Sequence, residues 1–201
     1  MKKCILIGKS NVGKTSFFVS FVEYLGIKRL NILFKGPQGG FQYRSYTTEM
    51  AKSLLISESP FKTKEICEIG ISVPVYKGNK VFQLQDTSGI VDGMCRDDEV
   101  RKSMVLTFKT LEEAGIILHM IDTSRIFRRG ESTIGPIDDQ INLYGTNRGS
   151  YCILASKTDL EDGEKGYELL RKKYCNSLVI PVSTFNQRGY KEVMEFVVRN
   201  L

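Results

Sequence analysis

Residues 8–15 form a glycine-rich segment whose residue types suit phosphate binding. The segment reads Gly-Lys-Ser-Asn-Val-Gly-Lys-Thr and lies between an apolar run, residues 4–7, and an apolar-periodic stretch, residues 16–25. Glycines at both ends let backbone N–H groups point at phosphate oxygens, and a following helix adds its positive N-terminus. Lys14 can then reach the outer phosphates, while the Thr15 hydroxyl is placed to bind Mg²⁺. The sequence therefore predicts a polyphosphate site with a magnesium ion.

A second predicted strand, with alternating polar and apolar residues, is followed by an aspartate. Residues 80–85 alternate in polarity, and Asp86-Thr87-Ser88-Gly89 comes directly after them. Asp86 would reach the same sheet edge as the phosphate loop and hold Mg²⁺ through water, and the Gly89 N–H could meet a terminal phosphate. An aspartate that only caps a turn is the alternative for so short a pattern.

Two later segments could read a purine base. Asp159 closes Ser156-Lys157-Thr158-Asp159, which follows the apolar residues 151–155. Its carboxylate can accept from N1–H and the exocyclic amine of guanine together, a donor pair that adenine lacks. Lys157 would lay its aliphatic stem along the base. Ser183-Thr184 follows the last strand, where a backbone N–H could contact the guanine oxygen, although Lys-Thr-Asp alone is also typical of a solvated loop.

In order and position, these four segments resemble those of the P-loop GTPase superfamily, and most closely its Era and TrmE group. The features shared with that group are Asn11-Val12-Gly13-Lys14, Ile90 after Asp-x-x-Gly, and Ser183-Thr184 followed by Gly189. The resemblance implies binding of GTP and GDP with Mg²⁺, hydrolysis of the terminal phosphate, and two switch segments. The nucleotide-binding residues it implies are Gly8, Lys9, Ser10, Asn11, Val12, Gly13, Lys14, Thr15, Ser16, Ser156, Lys157, Asp159, Ser183 and Thr184.

The resemblance also implies catalytic and metal-binding residues. Lys14, Gly89 and Thr63 are the catalytic set, and Thr15, Asp86 and Thr63 are the magnesium set. Thr63 is chosen for switch I because it lies just before the strand at residues 66–76, in the threonine, basic, acidic order of Era-like switches. Thr47 and Thr48 are the alternatives, although residues 48–57 have the near-helical spacing that makes helix initiation their simpler role.

Three positions depart from the family pattern. Ser156 stands where the guanine-reading segment has asparagine, which should weaken guanine affinity without abolishing it. Thr184 replaces an alanine at a contact made mainly by backbone, so this change should matter little. Ile90 stands where Ras-like enzymes have the glutamine that orients water, so intrinsic hydrolysis should be slow.

Asn11 suggests how hydrolysis could be stimulated. In the group that the chain resembles, an asparagine at this loop position helps to hold a potassium ion against the phosphates. Potassium-stimulated turnover with Asn11 as a ligand is one hypothesis. The other is that Asn11 only tolerates the unusual backbone of the loop.

The alternation of strands and helices predicts an α/β fold with a mostly parallel six-stranded sheet and helices on both faces. Strands are expected near residues 3–7, 66–76, 80–86, 115–121, 151–155 and 178–182, with an antiparallel hairpin at 77–79. Crossover helices are expected near 14–25, 98–111, 136–144, 164–174 and 189–199. Residues 1–201 are interpreted as one G domain with an insertion at about 28–58, in which 36–40 form a flexible turn.

Composition and sequence motifs indicate where the protein is located and what kind of partner it binds. A signal peptide, a membrane-spanning run and lipidation motifs are not evident, and five cysteines without a Cys-x-x-Cys pair suit reduced thiols, so a cytoplasmic location is expected. His119 lies in an apolar run and is assigned to the core. The net charge of +6 suits an anionic partner such as ribosomal RNA, or an acidic protein effector. The basic clusters at residues 125–129 and 171–173 could equally be solvated faces, and the chain is expected to be a monomer or a nucleotide-dependent homodimer.

The leading functional interpretation is a GTP-dependent molecular switch with slow hydrolysis. A GTP-binding scaffold without hydrolysis, serving a protein or ribosomal partner, is the first alternative. An ATPase or phosphotransferase is the second, and it requires that Ser156 has destroyed guanine recognition.

Overall fold

The computed structural model describes residues 1–56, 64–93, 95–130 and 133–201. Its strands are β1 (Lys2–Ile7), β2 (Arg29–Lys35), β3 (Phe41–Thr47), β4 (Ile66–Val75), β5 (Gly78–Asp86), β6 (Ile116–Asp122), β7 (Tyr151–Ser156) and β8 (Val179–Pro181). Its helices are α1 (Lys14–Tyr24), α2 (Thr48–Leu55), α3 (Asp98–Glu113), α4 (Ile126–Arg129), α5 (Pro136–Arg148), α6 (Gly163–Lys173) and α7 (Tyr190–Arg199). The strands form one sheet in the order β3-β2-β4-β5-β1-β6-β7-β8.

The parallel part of the sheet confirms the predicted α/β class. β1 pairs in parallel with β5 and β6, and β7 and β8 extend the sheet in the same direction. Apolar side chains cover both faces of these strands because helices pack on each side. One core includes Phe17 of α1 and Val193 of α7, and the other includes Leu111 of α3, Ile141 of α5 and Leu170 of α6. The carboxyl ends of β1, β5 and β7 therefore meet at one edge.

The prediction of six strands is wrong, because the described residues contain eight. The two additional strands, β2 and β3, lie in the segment that was interpreted as an insertion with a turn and a helix. Leu30, Ile32 and Phe34 alternate with more exposed residues along β2, and all three are buried. β2 pairs with β3 along its whole length and with β4 only from Leu33 to Lys35. The β2–β3 hairpin thus extends the sheet beyond β4, and all three of these outer strands run antiparallel to their neighbours.

The local signals for helices were more reliable. Asp97 caps α3, since its Oδ1 accepts from the backbone N–H groups of Glu99 and Val100 at 2.8 and 3.2 Å. The Thr47 hydroxyl accepts from the Met50 N–H at 3.3 Å, which confirms that this threonine starts a helix, α2. The five predicted crossover helices are present within a few residues of their expected ends, and the hairpin at residues 77–79 is confirmed. The short helix α4 was not predicted.

The structure also bears on the cysteines and on membrane-spanning helices. All five cysteines are free thiols, and Cys4, Cys67 and Cys152 are buried. Among the helices of the described ranges, none combines the length and the apolar character needed to cross a bilayer.

Candidate functional site

The phosphate loop joins β1 to α1 in an unusual backbone conformation. Gly13 caps α1 with a φ of 101°, and Gly8 has a φ of 152°. A Cβ on Gly8 would lie 2.2 Å from the Met120 carbonyl oxygen, so only glycine fits between the loop and β6. Asn11 has a left-handed φ of 62°, a conformation that asparagine tolerates better than most residues. This backbone agrees with the second hypothesis for Asn11 and leaves the potassium hypothesis untested.

Lys14 lies buried against the loop. Its Nζ donates to the carbonyl oxygens of Gly8 at 3.0 Å and Lys9 at 2.8 Å. Burial lowers the pKa of the Lys14 ammonium to about 8, while the nearby Asp86 carboxylate acts in the opposite direction. The ammonium is thus held by the loop at the start of α1, beside Thr15 and the half-buried Ser16.

Thr15 and Asp86 meet although they are 71 residues apart. The Thr15 hydroxyl donates to Asp86 Oδ2 at 2.6 Å. Burial raises the pKa of Asp86 to about 6, with Lys14 and the Thr15 hydroxyl opposing that rise. Asp86 Oδ1 is buried and has no hydrogen-bond partner among the described residues. A buried carboxylate oxygen beside a hydroxyl fits the second coordination shell of Mg²⁺, in which the carboxylate accepts from metal-bound water.

The segment after Asp86 packs directly on the loop. The Ile90 N–H donates to the Gly8 carbonyl at 3.3 Å, and a Cβ on Gly89 would lie 2.6 Å from Ser10 Cα. Gly89 therefore lies against the phosphate loop, and its contact with a terminal phosphate stays a prediction. Ile90 is 1% exposed and belongs to the core on the α3 side of the sheet. Its side chain points into that core and offers no polar group to a water molecule.

The predicted base-reading segment, residues 156–159, is tied to the phosphate loop by two side chains. Ser156 Oγ is close enough to donate to the Val12 carbonyl at 2.7 Å and to the Ile121 carbonyl at 3.1 Å. Lys157 Nζ donates to the Asn11 carbonyl at 2.9 Å and to Asp122 Oδ2 at 2.6 Å. The ends of β1, β6 and β7 are thereby fixed relative to one another.

Asp159 lies on the turn that follows β7. The turn is closed by a hydrogen bond from the Leu160 N–H to the Lys157 carbonyl at 3.2 Å, and Asp159 is exposed there. Ser183 is buried, and its Oγ accepts from the Phe185 N–H at 3.1 Å, whereas Thr184 is exposed. The Thr158 hydroxyl donates to the Val182 carbonyl at 3.2 Å, which joins the two predicted base-contacting segments.

A network of charged side chains beside the loop was not foreseen from the sequence. Lys9 Nζ forms ion pairs with Asp92 at 2.6 Å and with the buried Asp138 at 2.9 Å. Asp138 Oδ1 lies 3.2 Å from Nε2 of His119, whose Nδ1 is 2.9 Å from the Tyr151 hydroxyl. His119 is in the core, as predicted, but it is part of this hydrogen-bonded chain. Pro136 followed by Asp138 is a helix-start pattern, and that pattern was the available signal.

Charge pairing shifts the pKa values of Lys9 and Asp138 in this network. Burial acts to lower the pKa of Lys9, but hydrogen bonds and attraction to Asp92 and Asp138 outweigh it and raise the pKa. Burial acts to raise the pKa of Asp138, yet the hydrogen bonds from His119 and Lys9 lower it overall. Asp92 Oδ1 also accepts from the Ile137 N–H at 3.1 Å. The segment after Gly89 is therefore linked to both the phosphate loop and the start of α5.

One predicted site residue cannot be placed. Thr63 lies outside the described residues, so its assignment to switch I remains a prediction. Of the alternatives, Thr47 caps α2 and the buried Thr48 donates to the Lys28 carbonyl at 3.4 Å. Both hydroxyls are thus engaged in local structure.

The parallel sheet, the phosphate loop and the buried Asp86 define a P-loop nucleotide-binding protein. The family model described as "50S ribosome-binding GTPase" matches residues 44–157, which is more than half of the chain. The chain therefore belongs to the 50S ribosome-binding GTPase family. A curated relative, the GTPase Der of Thermosipho africanus (strain TCF52B), is 28% identical over 122 residues, which are 61% of this chain and 20% of the relative.

Solved structures agree on the fold. A single-residue variant of Aquifex aeolicus Era bound to GDP.AlF4- aligns over 100% of this chain and 57% of its own, with a TM-score of 0.64 and 19% identity. Era in complex with MgGDPNP and nucleotides 1506-1542 of 16S ribosomal RNA gives a TM-score of 0.65 and 19% identity, over 100% of this chain and 56% of its own. The G domain of the T. maritima FeoB iron transporter gives a TM-score of 0.55 and 19% identity, over 100% of this chain and 98% of its own. The chain thus spans about a fifth of the Der relative and just over half of the Era chains.

Proposed function

We propose that this chain is a GTP-dependent molecular switch that hydrolyses GTP slowly to GDP and phosphate. The observation that carries the proposal is the contact between three separate segments. Lys157 reaches the phosphate loop at Asn11, and Thr15 on the other side of that loop reaches Asp86. A nucleotide on the loop would then have its base beside Asp159 and its phosphates beside Lys14.

Each group has a role in this proposal. Lys14 and the loop N–H groups bind the phosphates, and the Gly89 N–H contacts the terminal one. Mg²⁺, held by Thr15 and through water by Asp86, would neutralise charge on the phosphate oxygens. Asp159 accepts two hydrogen bonds from guanine, and Ser183 and Thr184 present backbone to its oxygen. Conformational change around Thr63 and after Gly89 is the proposed output.

The guanine assignment is tested by competition between nucleotides. We expect the purified protein to bind GDP much more tightly than ADP, and Asp159→Ala to weaken GDP binding at least about a hundredfold, since a base-reading carboxylate is lost. Glu161→Ala, in the same exposed turn region, is the matched control and should leave GDP affinity unchanged. Equal displacement of a labelled guanine nucleotide by GDP and ADP would contradict the proposal and favour the ATPase alternative.

Slow hydrolysis is proposed because Ile90 is buried in the core. A group other than Ile90 must then orient water and supply positive charge. We propose that potassium held by Asn11 supplies that charge. Single-turnover hydrolysis should be faster in potassium than in sodium, and Asn11→Ala should remove the difference. Equal rates in both salts would contradict the role of potassium, and no hydrolysis in either would favour a non-hydrolysing scaffold.

The proposed partner is ribosomal. The family is described as ribosome-binding, and one Era structure contains a 16S ribosomal RNA segment. The net charge of +6 is of the sign that an RNA partner requires. Cosedimentation of the protein with ribosomal subunits in GTP and in GDP is the direct measurement, and equal absence from both pellets would contradict this partner.

A further inference from the structure

We propose that the β2–β3 hairpin binds single-stranded RNA through an aromatic platform formed by Phe41 and Tyr43. The inference names a surface for the RNA-containing partner and rests on the proposed function for that partner. Phe41 and Tyr43 are each 78% exposed on β3, the outermost strand of the sheet. Neither contact with the nucleotide site nor core packing accounts for two large aromatic side chains in water.

Strand register places both rings on the same face. In the strand register, Phe41 pairs with Lys35 and Tyr43 pairs with Leu33. Tyr46 is an odd number of residues from both, so its side chain lies on the opposite face, where it is buried. Residues two apart in a strand are separated by about 7 Å. That separation is about twice the 3.4 Å rise per base in a duplex, so it suits bases that have been splayed apart. Aromatic rings on a sheet face are a general platform for such bases.

The charge of the hairpin favours a nucleic acid as the occupant. Residues 29–47, which span β2 and β3, contain three basic side chains and no acidic one, a net charge of +3 in a chain of net charge +6. Arg29 is exposed and, by register, lies on the same face as Tyr43. A backbone that crosses Phe41 and Tyr43 along β3 would pass toward this guanidinium.

The turn of the hairpin continues this surface toward α3. A cavity of about 280 Å³ lies between residues 36–39 and the N-terminal part of α3, and its charged lining residues are Lys64, Glu99 and Lys102. Lys64 pairs with Glu99, whereas Lys102 is exposed. Arg29 and Lys102 therefore place one positive group beyond each end of the aromatic pair, where the phosphates of a bound strand would pass.

An open edge strand could instead pair with β3 of a second copy. Two copies would bring two hairpins of net charge +3 together, which electrostatic repulsion disfavours. A single-stranded polyanion has the complementary charge. The observations therefore favour RNA over self-association.

The test uses a fluorescently labelled single-stranded RNA of about 12 nucleotides, within the range of sites bound by stacking platforms. Fluorescence anisotropy at low salt should show binding, with weaker binding to a duplex of the same sequence. The double variant Phe41→Ala/Tyr43→Ala should weaken single-strand binding at least about tenfold, because each base that loses its stacking partner loses affinity. Tyr76→Ala, at a fully exposed tyrosine in the β4–β5 turn, is the matched control and should bind as the wild type does.

Thermal unfolding and GDP binding are measured on the same samples. Both should be unchanged in the double variant, since neither ring is buried. Wild-type affinity in the double variant, or no binding of single-stranded RNA by the wild-type protein, would overturn the inference. A dimer that the double variant disrupts, without RNA binding, would also overturn it in favour of edge pairing. If RNA binding fails while GDP binding persists, the switch proposal is unaffected; failure of GDP binding would contradict that proposal separately.

Discussion

At the scale of single residues, Ser156 is the position where this chain departs most informatively from the family pattern. Its hydroxyl has one proton and lies within reach of two carbonyl oxygens, Val12 on the phosphate loop and Ile121 on β6. We propose that the side chain affects nucleotide binding by positioning the loop relative to β7. In the proposed function, Asp159 and the segment at Ser183 contact the base.

We predict that Ser156→Ala weakens GDP binding by about fivefold to tenfold. The reason is that a buried hydrogen bond worth about 1 kcal/mol holds the loop in place, and its loss leaves a buried carbonyl without that donor. Isothermal titration with GDP and Mg²⁺ measures the change. Ser183→Ala is a useful comparison, because its hydroxyl accepts only local N–H groups. Unchanged GDP affinity in Ser156→Ala would contradict a positioning role.

At the scale of elements, the β2–β3 hairpin is attached to the rest of the sheet by a short contact. β2 meets β4 only between Leu33 and Lys35, and a buried carboxylate lies at this junction. Glu68 accepts from Lys35 Nζ, Gln83 Nε2 and Gln85 Nε2, each at 2.7 Å. This cluster compensates for burying a charge where the sheet changes from its inner strands to the hairpin.

We predict that Lys35→Met destabilises the fold by roughly 2–4 kcal/mol, because removal of the ammonium leaves Glu68 charged and buried. Chemical denaturation measures the change, and hydrogen exchange should show faster exchange of the β2 amides that pair with β4. Lys52→Met is the matched control, since its pair with Glu23 is exposed and worth at most about 1 kcal/mol. Equal losses in the two variants would contradict a specific role for the junction.

A second link between elements joins the phosphate loop to α5. Lys9 contacts Asp138 in the first turn of α5 and Asp92 in the segment after Gly89. Asp92 in turn accepts from the N–H of Ile137. A movement of Asp92 would therefore have to break contacts with both the phosphate loop and the start of α5.

At the scale of the whole molecule, the ionisation of Asp138 connects this network to the pH dependence of stability. Its pKa lies below the ordinary value of 3.8, because His119 and Lys9 stabilise the carboxylate more than burial disfavours it. In the unfolded chain the same group takes up a proton at a higher pH. Asp138 therefore contributes its full stability above about pH 4, and that contribution is lost as the pH falls through the folded-state pKa.

We predict that Asp138→Asn lowers the free energy of unfolding by about 1–3 kcal/mol at pH 7, since a buried charge-assisted hydrogen bond is lost. The difference from the wild type should shrink as the pH falls below about 4. Thermal unfolding across pH 3–7 measures this, with Glu195→Gln on the exposed face of α7 as a control that should show little effect. A difference that stays constant across this range would contradict the assigned ionisation.

The sequence by itself determined the parts of the site that depend on local order. A strand, a glycine-rich loop and a helix in succession specify a phosphate cradle, because backbone geometry and helix polarity are set within about ten residues. Asp86, Gly89 and Asp159 could be placed at one edge for a related reason, since parallel strands bring their carboxyl ends together. The crossover helices were predicted from apolar spacing in the same way.

Only the tertiary structure decided which side chains meet across the chain. Ser156 contacts Val12 across 144 residues, and no periodicity encodes that pairing. Lys9 and Asp138 are far apart in the sequence, and their ion pair forms because α5 packs beside the phosphate loop. The β2–β3 hairpin was overlooked because strand pairing depends on a partner elsewhere in the chain, here β4, and seven-residue alternation in a glycine-rich segment does not name that partner. Local sequence order therefore identifies the phosphate loop, whereas long-range packing determines its contacts with β7 and α5.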